Sequence, residues 1–287
     1  MIKEKIIEII CLDNNNSKLV ATIYFPVSDI KGAIMIGPAT GIKRKFYANF
    51  AKYLAENNYG VITYDNNGIG DSVNGDLKLN KSSLQSWGEK DMPNVFNILK
   101  ENFPNTKYHL IGHSAGGQLV GLIPSCNEFT SMFNFACSSG SIRNMRIPFK
   151  LKAKIFMDIF IPINNFLFGY TNAQWVGMGE PLPKMVAQEW SNWCNGTGYV
   201  KTAFNKTINT HWYDEINFPS MWLNAIDDDI ANNKNVSDMI SVFPKIKSET
   251  LTLNPKEYNL KEIGHMKFFT KENKILWKIA LDWLDKL

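Results

Sequence analysis

The residues best placed to do chemistry in this 287-residue chain are Ser114, the acid run Asp227-Asp228-Asp229, and His265. Ser114 stands within Gly112-His113-Ser114-Ala115-Gly116, directly after the apolar run Tyr108-His109-Leu110-Ile111. A serine hydroxyl is a poor nucleophile until a base takes its proton, and the base needs a carboxylate to hold its ring. A turn that lifts a serine clear of a sheet edge crowds the backbone on both sides. The positions two before and two after it must therefore be small. Gly112 and Gly116 meet that need, and Gly117 adds room. A strand is expected at 109–111 and a helix at 118–123, and the first N–H groups of such a helix point at developing negative charge.

The chain has four histidines. His109 falls within a strand, His113 lies inside the turn with its side chain directed away from the hydroxyl, and His211 sits in an aromatic-rich region. His265 follows a glycine beyond the last expected strand, which makes it the candidate base. The three acids close the strand Met221-Trp222-Leu223-Asn224-Ala225. Their spacing leaves both Asp227 and Asp228 open as the orienting acid, while Asp229 suits a solvated loop or helix cap. A tetrahedral intermediate also needs two preorganised N–H donors. Ala115, directly after the serine, is one. The other must come from Gly37-Pro38-Ala39-Thr40-Gly41, where Pro38 has no N–H to give.

These groups need a scaffold that gathers several loops at one edge. Residues 32–36, 61–64, 108–111, 133–136, 220–225 and 247–253 read as short buried strands. Segments 46–57, 87–102, 234–243 and 269–284 read as helices, the first with Phe46, Phe50, Tyr53 and Leu54 at helical spacing. This alternation predicts an α/β fold, a mostly parallel sheet flanked by helices on both faces. Segments 4–11 and 19–25, around Asp13-Asn14-Asn15-Asn16, predict a hairpin. The rhythm breaks between about 140 and 218, where aromatics and prolines accumulate and helices are expected at 149–160 and 184–193. The pattern then resumes. A core of 1–140 and 218–287 with a helical cap inserted at 141–217 follows.

Composition narrows the function classes. With 45% hydrophobic and 20% charged residues, the chain reads as an ordinary globular protein. A net charge of +4 without a long basic run gives nucleic-acid binding no electrostatic support. The opening Met-Ile-Lys-Glu-Lys-Ile-Ile-Glu lacks the apolar core of a secretion signal. The most apolar stretch, 155–168, is broken by Asp158, Pro162, Asn164 and Asn165 and is shorter than the roughly 20 residues a bilayer requires. No integral membrane segment and a cytoplasmic location are expected. Cys11, Cys126, Cys137 and Cys194 lack C-x-x-C spacing and are expected to be reduced and buried. No His or Cys pair has metal-ligand spacing, so no metal is expected. Lys150, Lys152 and Lys154 read as a solvated helix face, with anionic lipid as the alternative. Lys43-Arg44-Lys45 is a weaker candidate for meeting an anionic substrate.

Taken together, these residues resemble the α/β-hydrolase superfamily, in the branch of monoglyceride-lipase-like and serine-aminopeptidase-like enzymes. Within it they are similar to a bacterial group of predicted α/β hydrolases. The likeness runs through Pro38-Ala39-Thr40-Gly41 with Phe46-Tyr47, and through Tyr64-Asp65 leading to Gly68-Ile69-Gly70-Asp71-Ser72. It continues through the Ser114 turn, Gly177-Met178-Gly179-Glu180-Pro181-Leu182-Pro183, Glu189-Trp190, and Gly264-His265 with Phe268-Phe269. The resemblance implies a triad in the chain order Ser, acid, His. It falls on Ser114, Asp228 and His265, the acid being placed by its register before Ile230-Ala231. The resemblance also implies an oxyanion hole from the N–H groups of Thr40 and Ala115. Two departures stand out: Pro38-Ala39 replaces a frequent His-Gly pair, and Asn66-Asn67 replaces a loop-bracing arginine.

The implied activity is a serine hydrolase that cleaves a carboxylic ester with an apolar acyl group through an acyl-serine intermediate. A thioesterase or acyltransferase shares that intermediate, and a non-catalytic ligand-binding protein on the same scaffold is the alternative from another class. The expected partner is a small-molecule acyl substrate, with no cofactor, and the chain is expected to be a monomer or homodimer. Most cap aromatics should form the cap's own core, with a few lining a pocket above Ser114. Phe160, Trp175 and Trp190 are the rings expected to select among substrates.

Overall fold

A computed structural model describes residues 2–11 and 17–287. Six strands come first: β1 (Glu4–Ile10), β2 (Lys18–Tyr24), β3 (Gly32–Gly37), β4 (Tyr59–Tyr64), β5 (Tyr108–His113) and β6 (Phe129–Phe135). The two-residue strands β7 (Tyr170–Thr171) and β8 (Leu182–Pro183) pair with each other, away from the rest. With β9 (Pro219–Ala225) and β10 (Lys247–Leu253), the first six build an eight-stranded sheet. Its order is β1-β2-β4-β3-β5-β6-β9-β10. β1 and β2 pair antiparallel, as do β2 and β4, and every pairing from β4 to β10 is parallel. The expected hairpin is thus present as β1 and β2, while the Asp13-Asn14-Asn15-Asn16 turn lies outside the described residues.

The helices are α1 (Ala48–Glu56), α2 (Leu84–Ser86), α3 (Met92–Asn102), α4 (Ala115–Gln118), α5 (Phe149–Ile155), α6 (Ile161–Leu167), α7 (Lys184–Asn195), α8 (Asn233–Ile240) and α9 (Trp277–Leu284). Alternation along β6 shows how they cover the sheet, since successive side chains of a strand face opposite ways. Phe135 meets Phe50 of α1, and Phe133 meets Trp283 of α9. Asn134, between them, faces Gly117 of α4 on the other side. Near α4, Gly88, just before α3, packs against Leu122. The strands between these layers are almost wholly apolar and buried, as a parallel sheet covered on both faces requires.

Two elements differ from expectation. The helix expected at 118–123 is instead α4 followed by a 3₁₀ turn at Val120–Leu122. Gly116, Gly117 and Gly121 sustain an α-helix poorly, and Gly121 packs so tightly on Tyr213 that a Cβ would lie 2.4 Å from its ring. The last helix begins at Trp277 rather than 269, because Asn273 leaves helical geometry at φ −99° and ψ 19° and the preceding residues form 3₁₀ turns.

Candidate active site

Parallel strands send their C-terminal ends, and the loops after them, to one edge of the sheet. Gly37 at the end of β3 is paired with Gly112 in β5, and His113 with Phe135 of β6. The loop after each of these strands therefore starts at the same level. Ser114 follows β5 with φ 49° and ψ −117°, outside the regions that a side chain tolerates easily. The turn is held by the Ser114 N–H donating to the Phe135 carbonyl at 3.0 Å. A Cβ on Gly116 would lie 2.0 Å from the Gly37 oxygen. Only glycine permits that approach, which brings the loop after β3 against the Ser114 turn. Ala115 is the first residue of α4, so its N–H has no intrahelical acceptor.

The three acids after β9 have three different partners. Asp228 is buried, with Oδ2 2.8 Å from His265 Nδ1. Its Oδ1 accepts from the N–H groups of Ile230 and Ala231, both at 2.8 Å. Burial works to raise the Asp228 pKa, but the His265 ring and the two amides outweigh it and hold the carboxyl below its ordinary range. Asp227 instead accepts from the backbone N–H groups of Ile263 at 2.9 Å and Gly264 at 3.0 Å, pinning the loop that carries His265. Asp229 pairs with Arg146 at 2.9 Å. Spacing leaves Asp227 and Asp228 open. In the fold, Asp228 meets the ring and Asp227 meets the loop.

His113 does more than its place in the turn suggests. Its Nδ1 is 2.8 Å from the Tyr47 hydroxyl and its Nε2 is 2.9 Å from the carbonyl oxygen of His265. A carbonyl only accepts, so Nε2 carries the proton. Complete burial, with the nearby His265 ring, pushes the His113 pKa down to about 3 and keeps the ring neutral. Nδ1 therefore accepts from the Tyr47 O–H, whose own pKa burial pushes up. The Tyr47 oxygen in turn accepts from the Ala39 N–H at 2.9 Å. The Ala39 amide is thereby engaged, while the next residue, Thr40, lines the cavity that holds Ser114. No local sequence signal marks this chain of bonds, because its members are 8, 66 and 152 residues apart.

Ser114, Thr40, His265 and Met266 line one cavity of about 110 Å³. Gly140, Met178, Trp190, Cys194 and Ile230 line both this cavity and a second one of about 410 Å³. The larger space is walled mainly by apolar side chains, among them Phe149, Phe156 and Phe160. Trp175 lines neither; it faces Phe168 edge-on at 5.4 Å and is exposed. A third hollow of about 640 Å³, walled by Asn74, Asp76, Asn80 and Lys81, contains none of the candidate residues. The Lys43-Arg44-Lys45 run is occupied within the fold. Arg44 is buried against Asp65 and Asp71, Lys43 pairs with Glu180 at 2.9 Å, and Lys45 pairs with Asp71 at 3.1 Å. All four cysteines are buried. Among the described residues no cluster of three His, Cys, Asp or Glu side chains is arranged to hold a metal ion.

Residues 28–156 match the family model described as "Serine aminopeptidase, S33". Among solved structures, a soluble variant of monoglyceride lipase from Saccharomyces cerevisiae, in complex with a substrate analog, is similar at TM-score 0.64 and 16% identity. That likeness covers 100% of this chain and 96% of the other. A thermostable carboxyl esterase from Bacillus coagulans is similar at TM-score 0.63 and 11% identity, over 99% and 100% of the two chains. An esterase from Pyrococcus furiosus gives 0.61 and 13%, over 99% and 91%. No curated protein sequence matches the chain.

Proposed function

We propose that this chain, which shares its fold with the esterases and the monoglyceride lipase above and matches the serine aminopeptidase model over residues 28–156, is a serine hydrolase of the α/β-hydrolase superfamily that cleaves carboxylic esters with an apolar acyl group. The observation that carries this reading is that Ser114 and His265 line one cavity, with the His265 ring held by the buried Asp228 carboxylate, and that this cavity shares five wall residues with a larger apolar one. In this reading Ser114 Oγ attacks the ester carbonyl carbon while His265 Nε2 takes its proton. Asp228 holds the Nδ1–H side of the ring and stabilises the imidazolium. The N–H groups of Thr40 and Ala115 receive the oxyanion. His265 then protonates the departing alkoxide, and the acyl-serine is hydrolysed by water through the same steps in reverse roles.

The apolar extension supports an acyl group as the recognised part of the substrate. No carboxylate lines either cavity among the described residues, which disfavours a free α-amine as the recognised group. We take 1–140 and 218–287 as the core and 141–217 as the cap that supplies most of the apolar wall. A fluorophosphonate probe should label the wild-type protein and leave folded Ser114→Ala unlabelled. Activity on p-nitrophenyl esters should exceed that on acyl-CoAs and on aminoacyl anilides. Equal labelling of the Ser114→Ala protein, or a clear preference for the anilides, would overturn the reading.

A further inference from the structure

The outer side of the segment 147–168 carries an apolar stripe that is left largely exposed. Ile147, Leu151, Ile155, Ile159, Ile163 and Leu167 recur every four residues, and all six are exposed, Ile147 at 84%. Four-residue steps overshoot a turn of α-helix by about 40°, so a wholly α-helical run would wind the stripe around the helix. Between α5 and α6, however, residues Phe156–Phe160 form a π turn, which holds more residues per turn and keeps the stripe on one side. Phe166, on the same side by this geometry, is 86% exposed. A contiguous patch of this kind on a folded chain marks an interaction site.

Charge says which partner fits. The segment 143–168 holds five basic residues, Arg143, Arg146, Lys150, Lys152 and Lys154, against one acid, Asp158. Arg146 and Lys154 are paired with Asp229 and Asp158. Arg143, Lys150 and Lys152 have no ion pair among the described residues. At about 100° per residue, Lys150 and Lys154 flank the stripe on one side and Lys152 on the other. Large aliphatic and aromatic side chains bordered by lysines are the composition of a helix that lies in the headgroup layer of an anionic bilayer. No described helix is long and apolar enough to cross a membrane, so the contact is one of lying on the surface. Ile155 belongs both to the stripe and to the wall of the larger cavity, which places that cavity directly behind the docking face.

We propose that the face formed by α5, the π turn and α6 docks the protein onto anionic lipid surfaces. The proposal stands apart from the catalytic reading, because binding can be measured on Ser114→Ala protein without turnover. Flotation with phosphatidylcholine vesicles, and with phosphatidylcholine–phosphatidylglycerol vesicles, tests it. The full chain should float with the anionic vesicles, weakly or not at all with the zwitterionic ones, and less as salt rises. The triple variant Leu151→Ser/Ile159→Ser/Phe166→Ser, which touches no cavity wall, should bind about tenfold or more weakly. Lys150→Glu should cost about fivefold or more, and both variants should keep wild-type turnover of a soluble short-chain ester. Failure of the folded wild-type protein to bind anionic vesicles overturns the proposal, as does equal binding to both vesicle types. A concentration-dependent dimer that the triple variant abolishes would assign the face to a second copy of the chain instead.

Discussion

The Nε2–H of His113 donates to the backbone carbonyl of His265 at 2.9 Å, tying the residue before Ser114 to the residue assigned as its base. Through Tyr47 the same ring reaches the Ala39 amide. Three loops, those bearing Ser114, His265 and Thr40, the proposed oxyanion donor, are thus fixed to one another by directed hydrogen bonds beneath the cavity. Packing alone would leave such loops free to drift by fractions of an ångström, enough to weaken nucleophilic attack.

Tyr47→Phe removes the central hydroxyl and leaves the Ala39 N–H and His113 Nδ1 facing a ring edge. Each of these two buried groups, left without a partner, should cost about 1–3 kcal/mol of stability. Ester turnover should fall about tenfold in kcat with little change in KM, because the wall of the cavity is untouched. His113→Gln, whose amide can still donate to the His265 carbonyl, should retain more activity than His113→Leu. Urea unfolding and steady-state kinetics measure both effects. Wild-type kcat in a folded Tyr47→Phe protein would mean that the three loops are held by other contacts.

Asp227 and Asp228 should separate by size of effect. Asp228→Asn keeps the shape but gives His265 Nδ1 the wrong partner, and a loss of about 10⁴ in kcat is the scale set by triad acids. Asp227→Asn leaves the ring's partner in place and weakens two bonds to the Ile263 and Gly264 amides. A loss of about tenfold, with a lowered unfolding midpoint, is expected there. Steady-state kinetics of the two variants decide the matter, and the reverse order would exchange the assignments of the two acids.

Much of this architecture is legible in the sequence because the chemistry imposes it locally. A turn that tolerates no Cβ on either side writes itself as Gly112 and Gly116, and buried parallel strands write themselves as apolar runs. The choice between adjacent acids is not legible from spacing, since it depends on which carboxylate the β9 loop turns toward the ring. Nor is the His113–Tyr47 chain, in which each bond joins residues far apart in sequence. Lys43-Arg44-Lys45 reads as available to a substrate, yet its partners, Asp65, Asp71 and Glu180, come from elsewhere in the fold. The short α4 follows from a long-range contact as well, the Tyr213 ring against Gly121.

Acid should destabilise the protein through its buried histidines. Burial, with some help from Lys107, pushes the His109 pKa down to about 4, and His113 falls to about 3. A histidine whose folded value lies below the ordinary one near 6.5 binds its proton more readily in the unfolded chain. Its contribution is therefore complete above about pH 6.5 and is lost as pH falls toward 4 and 3. Between pH 7 and 5 each ring should cost about 2 kcal/mol. Urea unfolding at the two pH values should show His109→Gln losing about 2 kcal/mol less than wild type over that interval. Identical losses would mean that His109 accepts a proton in the folded state.

The last prediction concerns which aromatic rings choose the acyl chain. Trp190 lines both the cavity at Ser114 and the larger apolar one, so it stands where an acyl chain would pass from the first to the second. Phe156 holds it in place, edge to face at 5.7 Å, and Phe160 stacks on Phe156 at 5.5 Å while lining the larger cavity. Trp175 touches neither space. Apolar contacts discriminate by about 1–3 kcal/mol per methylene, so widening the passage should move the preference toward longer chains. On soluble p-nitrophenyl esters of graded length, Trp190→Ala and Phe160→Ala should change the kcat/KM ratio of long to short substrates by about tenfold or more. Trp175→Ala should leave it unchanged. A folded Trp190→Ala protein with the wild-type length profile would exclude the larger cavity as the acyl site, and a shift in Trp175→Ala alone would place the acyl chain on the outer surface of the cap.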